Sequence, residues 1–184
     1  MDSDWMNDIA GRLADLGVGT ARFEFAYMAA RRSGQRKPPP KAEKLMDEYR
    51  AAIAALDGRG PVAIGGKSMG GRVASLVADE QFAAGRIDRL LCLGYPFHPP
   101  GSPEKLRTAH LQDLRTPTLI CQGERDTFGT RTEVETYPLS PAINIVWMAD
   151  GDHDLKPRKA LTGLTLADHL DTAARRIAGF LTDS

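Results

Sequence analysis

The stretch VAIGGKSMGGRVA, residues 62–74, is an apolar run that breaks into glycines around Lys67 and Ser68 and then resumes with small and apolar residues. A buried strand that passes at once into a helix leaves few folds open, and it puts a serine on the turn. Two chemistries compete for that serine. Gly66-Lys67-Ser68 matches the end of a phosphate-binding loop, and Gly66-Lys67-Ser68-Met69-Gly70 matches the Gly-x-Ser-x-Gly nucleophile elbow. The phosphate loop needs an earlier glycine where Pro61 stands, and Gly60 is one place out of register. Val62, Ala63 and Ile64 would also have to be loop, yet they read as strand. The elbow fits its context: a strand ending at Gly65, the serine on a strained turn, then a helix. Glycines on either side of the serine are expected to prevent collisions between strand and helix. A plain glycine-rich strand-to-helix turn is the bland alternative.

Helical spacing places Met6, Ile9, Leu13 and Leu16 on one face over residues 3–16, with Ser3 as N-cap and Gly17 as stop. Residues 18–25, VGTARFEF, alternate enough to be a strand. Leu45, Met46, Tyr49, Ile53 and Leu56 mark an amphipathic helix over 41–56. Residues 61–65 read as a strand and 69–81 as a helix. The runs 87–95, 117–123 and 142–149 are short, apolar and bounded by Gly, Pro or Asp, as buried strands are. A last helix is expected over 164–181, with Leu166, Leu170, Ala173, Ile177 and Phe180 inward. Strands alternating with helices predict an α/β fold: a mostly parallel sheet covered on both faces.

The 184 residues are enough for one domain, 1–184, burying about 70% of the unfolded surface. Lys plus Arg equals Asp plus Glu at 24 each, so no global field argues for a nucleic-acid or membrane partner. No run approaches the roughly 18 apolar residues of a membrane span. The start, Met1-Asp2-Ser3-Asp4, is acidic with no apolar core behind it, so no signal peptide is read there. Cys92 and Cys121 lie in apolar runs and read as buried hydrophobes in a reducing compartment, not as a disulfide or metal pair. The expected address is the cytoplasm, and no metal or cofactor is expected.

A serine hydroxyl is a poor nucleophile at neutral pH and needs a base and an orienting acid. In elbow-bearing folds these follow the serine in the order acid, then histidine. Asp126 in CQGERDTFG and His153 in MADGDHDLKP each fall just past the end of an expected strand, in that order. Their plain alternatives are a turn aspartate and a solvated loop histidine. His98 precedes the acid but is placed to line the pocket, whereas His110 and His169 are read as surface residues. Asp150, Asp152 and Asp154 lie too close along the chain to orient His153 from its far side.

With these residues the chain resembles the α/β-hydrolase superfamily. More narrowly it resembles the dienelactone-hydrolase-like predicted hydrolases related to NSL complex subunit 3 and testis-expressed protein 30. RFEFAYMAARR, IGGKSMGGRVAS, LCLGYPFHPPG, PTLICQGERDTFG and DGDHDLKPRK carry the resemblance. It implies Ser68 as nucleophile, Asp126 as acid, His153 as base and the Met69 N–H as an oxyanion donor. Members of that family have an apolar strand and a His-Gly-rich turn before the first helix, and the turn supplies the second oxyanion donor. The chain here opens at a place resembling the residues just after that turn. An N-terminally truncated sheet is therefore expected, either because the natural protein starts upstream or because this is a decayed member, and the first is favoured. The implied activity is hydrolysis of small esters, lactones or related acyl compounds. A catalytically idle fold that binds a protein partner is the alternative.

From Phe25 to Ala42 there is no acidic residue, while Arg31, Arg32, Arg36, Lys37 and Lys41 are basic. Pro38, Pro39 and Pro40 stiffen what reads as a solvated loop. The sharper expectation is a lid on the rim near Ser68 whose Arg31 and Arg32 attract a carboxylate-bearing ester or lactone. Nucleic acid is a poorer fit, since no aromatic residues interleave with the charges.

Overall fold

The computed structural model describes residues 3–182 apart from 33, 35–37 and 57–61, and without the side chains of Arg31 and Arg32. Four parallel strands form one sheet in the order β1 (Ala63–Lys67), β2 (Arg89–Leu93), β3 (Thr118–Gly123) and β4 (Ile143–Met148). All six residues of β3 are buried, as a strand covered on both faces requires.

Successive side chains leave the sheet on opposite sides, and each side has its own core. Ile64, Leu90, Cys92 and Ile120 pack with Tyr49 and Ile53 of α3 (Met46–Ala54) and Val73, Ala74 and Val77 of α4 (Met69–Ala83). Leu93, Leu119, Cys121 and Met148 pack with Ile9 and Leu13 of α1 (Asp4–Asp15) and Leu170, Ala173 and Ile177 of α7 (Leu166–Thr182). Helices therefore cover both faces, as the pattern of the sequence requires. Cys92 and Cys121 belong to opposite cores, and both are free and buried. Burial pushes the Cys121 thiol up to about 12 and the Cys92 thiol higher still, so both behave as apolar side chains.

Ser3 caps α1, its Oγ accepting from Met6 N at 3.3 Å, and Gly17 ends that segment at φ +78°. Leu16 stays 45% exposed, so the inner face of α1 is shorter than its periodicity implied.

Three segments differ from expectation. Residues 18–25 form no regular element and pair with no strand among the described residues. Their alternation reflects packing instead: the Phe23 ring meets Tyr49 edge-on at 5.1 Å, and Phe25 is buried beside it. The neighbouring place on β1 is occupied, because the Tyr49 hydroxyl donates to Gly65 O at 2.5 Å and accepts from Gly65 N at 2.9 Å. The expected loop after Phe25 opens as α2 (Ala26–Arg32), a run of good helix formers whose first N–H donates to Glu48 at 2.8 Å. The helix expected over 41–56 is a 3₁₀ turn, Ala42–Leu45, followed by α3. Arg36 and Lys37 lie outside the described residues.

Short helices α5 (Arg131–Val134) and α6 (Lys159–Thr162) precede β4 and α7. Among the described residues no helix is long and apolar enough to cross a membrane.

Candidate active site

β1 runs on through Gly66 to Lys67 rather than stopping at Gly65, and Ser68 follows without a loop. The Ser68 N–H still reaches Leu93 O of β2 at 3.0 Å. Ser68 caps α4 with φ 52° and ψ −116°, a backbone region that costs about 1–3 kcal/mol for a residue with a Cβ. Strand geometry where a phosphate loop would need flexible backbone disposes of the phosphate-loop reading.

The glycines around the turn have unequal duties. A Cβ on Gly66 would come within 2.9 Å of Gly70 C, and one on Gly71 within 2.7 Å of Gly66 O and 3.3 Å of Cys92. One on Gly70 would meet nothing within 4 Å. The close approach of helix to strand therefore runs through Gly66 and Gly71. The expectation that Gly70 must be small for its own side chain is corrected.

Asp126 and His153 come from the loops after β3 and β4. The His153 Nε2 is 2.8 Å from Ser68 Oγ, and its Nδ1 is 2.8 Å from Asp126 Oδ2. The three side chains predicted from chain order thus form one hydrogen-bonded line. Asp126 is fully buried, and it accepts two further hydrogen bonds: Oδ1 takes the Phe128 N–H at 2.9 Å and Oδ2 also takes Gln122 Nε2 at 2.9 Å. The Phe128 ring lies 4.2 Å from the His153 ring and limits its rotation. With a buried carboxylate at Nδ1, the proton of the neutral imidazole belongs there, leaving Nε2 to accept from Ser68.

Two parts of the site escaped the sequence reading. Gln122 is one. Its Oε1 accepts from Tyr95 N at 2.7 Å and its Nε2 also approaches Tyr95 O and Gly129 O, so a fully buried amide aims Asp126. A polar residue inside the apolar run LICQG was the available signal. The other is Lys67, whose Nζ is 2.6 Å from Asp154 Oδ1 and 5.4 Å from the centre of the Trp5 ring. Trp5 Nε1 donates to Asp154 O at 2.9 Å, so the loop carrying His153 is held by both α1 and the residue before Ser68. Asp150 and Asp152 turn to Arg158, Arg125 and nearby backbone N–H groups instead. None of the three flanking aspartates bonds the His153 ring.

Met69 is the first residue of α4, so its N–H is one of the first-turn donors without an intrahelical acceptor. That leaves it available beside Ser68.

The other histidines need correction. His98 is only 2% exposed, with Nδ1 on Pro99 O at 2.9 Å and Nε2 3.6 Å from Glu133, so it is packed behind the rim and not open on it. His169 is 4% exposed on the inner side of α7, its Nδ1 satisfied by Leu155 O at 2.6 Å. His110 is half-buried against Ser75 and Tyr95. An imidazole with one satisfied nitrogen packs like an aromatic, which a surface assignment overlooks. Arg31 and Arg32 end α2, and their side chains lie outside the described residues.

Comparison with known proteins agrees with this architecture. The alpha/beta hydrolase domain family matches residues 1–182. An alpha-beta serine hydrolase homologue from Coxiella burnetii superposes with a TM-score of 0.70 at 18% identity, over 96% of this chain and 77% of that one. An α/β serine hydrolase without lid from Xanthomonas campestris gives 0.67 at 16% identity, over 100% and 77%. The esterase domain of a Rhodothermus marinus protein gives 0.65 at 17% identity, over 96% and 78%. At these identities the solved structures share the fold.

Proposed function

The chain belongs to the alpha/beta hydrolase domain family, and from that premise we propose that it is a serine hydrolase of small carboxylic esters, lactones or related acyl compounds. One observation carries the reading: the line Ser68 Oγ, His153 Nε2, His153 Nδ1, Asp126 Oδ2, both links at 2.8 Å, with its serine on a strained turn at a helix start. Ser68 Oγ attacks the acyl carbon while His153 Nε2 takes its proton. Asp126 holds the imidazole in the tautomer that leaves Nε2 free and stabilises the imidazolium that forms. The Met69 N–H receives the developing oxyanion, a contribution of about 2.7–4 kcal/mol where such donors have been removed from other hydrolases. His153 then protonates the leaving alkoxide and activates the water that releases the acid.

The narrower kinship, to dienelactone-hydrolase-like predicted hydrolases, is part of the same proposal and rests on IGGKSMGGRVAS and the segments bearing Asp126 and His153. A fluorophosphonate probe tests the nucleophile. The expected adduct maps to Ser68 and vanishes in Ser68→Ala. Labelling of another residue in folded protein rejects the assignment. A folded protein that neither labels nor turns over short-chain 4-nitrophenyl esters returns the fold to a binding role.

A further inference from the structure

A hydrogen bond at Nδ1 sets the direction of the His153 ring but leaves it free to twist about that bond, and a twist carries Nε2 away from Ser68 Oγ. The contact that limits the twist is the Phe128 ring, whose centre lies 4.2 Å from that of His153 with the planes 32° apart. Two rings side by side in one plane could not bring their centres so close. The imidazole therefore lies over the face of the phenyl ring, nearer to stacking than to an edge-on meeting. Main chain closes in as well. A Cβ on Gly94, just past the end of β2, would stand 2.7 Å from His153 O and 3.4 Å from its Nδ1.

Phe128 is in turn fixed through its backbone. Its N–H donates to Asp126 Oδ1 at 2.9 Å, and its carbonyl accepts from the His98 N–H at 3.1 Å. The Gly129 N–H returns to Asp126 O at 3.0 Å, and Gln122 Nε2 reaches Gly129 O at 3.3 Å. A Cβ on Gly129 would come within 2.7 Å of the buried Phe97 ring, so the chain after Phe128 is pressed against the core. The acid and the stacking ring thus ride two residues apart on one tight turn. Oδ2 of Asp126 holds the base, and Oδ1 holds the residue that stacks on it.

We infer that Phe128 is a positioning residue for His153: it sets the twist of the neutral ring and favours the imidazolium that forms when Ser68 attacks. This rests on the serine-hydrolase reading. The negative face of a phenyl ring attracts a cation within about 6 Å of its centre and does less for a neutral imidazole. The attraction therefore grows as the proton crosses from Ser68 Oγ to His153 Nε2. An interaction stronger in the transition state than in the ground state raises the rate and does not merely tighten binding. Asp126 meets the new charge in the plane of the ring, and Phe128 meets it from the face. Only 21% of the His153 side chain is exposed, so solvent competes little for that charge.

The experiment measures kcat and KM for 4-nitrophenyl butyrate in the wild type, Phe128→Leu, Phe128→Tyr and a protein with pentafluorophenylalanine in place of Phe128. In Phe128→Leu, kcat and kcat/KM are expected to fall together by about three- to thirtyfold, and Phe128→Tyr should recover most of the loss. Pentafluorophenylalanine keeps the shape and reverses the polarity of the face, so it should lose as much as leucine. Full turnover in Phe128→Leu overturns the role. A loss confined to KM also overturns it, since the ring is then a wall of the substrate pocket, and so does full turnover with the fluorinated ring. A second arm needs no turnover. In Ser68→Ala the His153 ring-proton resonances should move downfield on adding Phe128→Leu and stay in place on adding Phe128→Tyr. No movement overturns the stack. Movement in a protein that hydrolyses no ester supports the placement of the ring by Phe128 while rejecting the hydrolase reading.

Discussion

Lys67 Nζ and Asp154 Oδ1 stand 2.6 Å apart, joining the residue before Ser68 to the residue after His153. The ion pair therefore ties together the two segments whose Ser68 and His153 side chains are hydrogen-bonded. Asp154 is 63% exposed, so the pair contributes at most about 1 kcal/mol to stability. Its effect on geometry is larger, since misplacing reacting groups by about 1 Å costs up to ~10² in rate. Lys67→Met is expected to lower ester turnover tenfold or more (~10–10²) while leaving the denaturant midpoint almost unmoved. Full turnover in that variant reduces the pair to a surface contact.

Strain at Ser68 gives a second expectation. Glycine adopts positive φ without the Cβ penalty, whereas alanine keeps it. Ser68→Gly should be more stable than Ser68→Ala by about 1 kcal/mol, with both variants inactive, as read by urea unfolding. Equal midpoints would mean that the turn is relaxed.

Replacing Asp126 tests its proposed orienting role. Asp126→Asn keeps the shape but favours the wrong imidazole tautomer, and turnover should fall by about 10⁴. Gln122→Leu leaves the buried Tyr95 N–H and one Asp126 acceptor site unmatched, at about 1–3 kcal/mol. Stability should drop in the second variant more than in the first, measured by thermal and urea unfolding.

The neighbouring glycines should behave in opposite ways. Gly71→Ala drives a methyl into Gly66 O and Cys92 and should cost about 1–3 kcal/mol. Gly70→Ala meets nothing within 4 Å inside a helix and should be neutral or stabilising by up to about 1 kcal/mol. Equal costs would show that the helix does not press on the strand where Gly71 stands.

His110 sets an acid limb on stability. Its folded value, about 4, lies below the ordinary 6.5, so the unfolded chain binds the proton more readily. Stability from this residue is whole above about 6.5, declines as pH falls toward 4 and changes no further below it. His110→Gln should flatten that part of a Tm-against-pH profile. A wild-type slope that survives the substitution assigns the limb to other groups.

The sheet and the line of Ser68, Asp126 and His153 were legible because both follow from chain-local signals. Buried strands announce themselves as short apolar runs, and Asp126 and His153 sit shortly after two of them. What was not legible depends on partners far along the chain. Alternation in residues 18–25 reports which side chains are buried, not whether a neighbouring strand exists to receive the backbone, and here Phe23 and Phe25 pack on Tyr49 without a ladder. His110 and His169 look polar in isolation, yet with one or two partners the first is half-buried and the second buried, and those partners, Ser75, Tyr95 and Leu155, lie elsewhere. The pairing of Lys67 with Asp154 is likewise invisible until the sheet brings the ends of β1 and β4 to one rim.

The phenol of Tyr49, donating to Gly65 O and accepting from Gly65 N, has a consequence for how this protein meets other molecules. A bare rung on an outermost strand is a template on which a foreign strand can crystallise its own backbone. By answering both the donor and the acceptor of Gly65, one side chain takes the middle rung of β1 out of reach of a passing polypeptide. The same ring that packs beside Phe23 and Phe25 thereby also covers part of the sheet's margin.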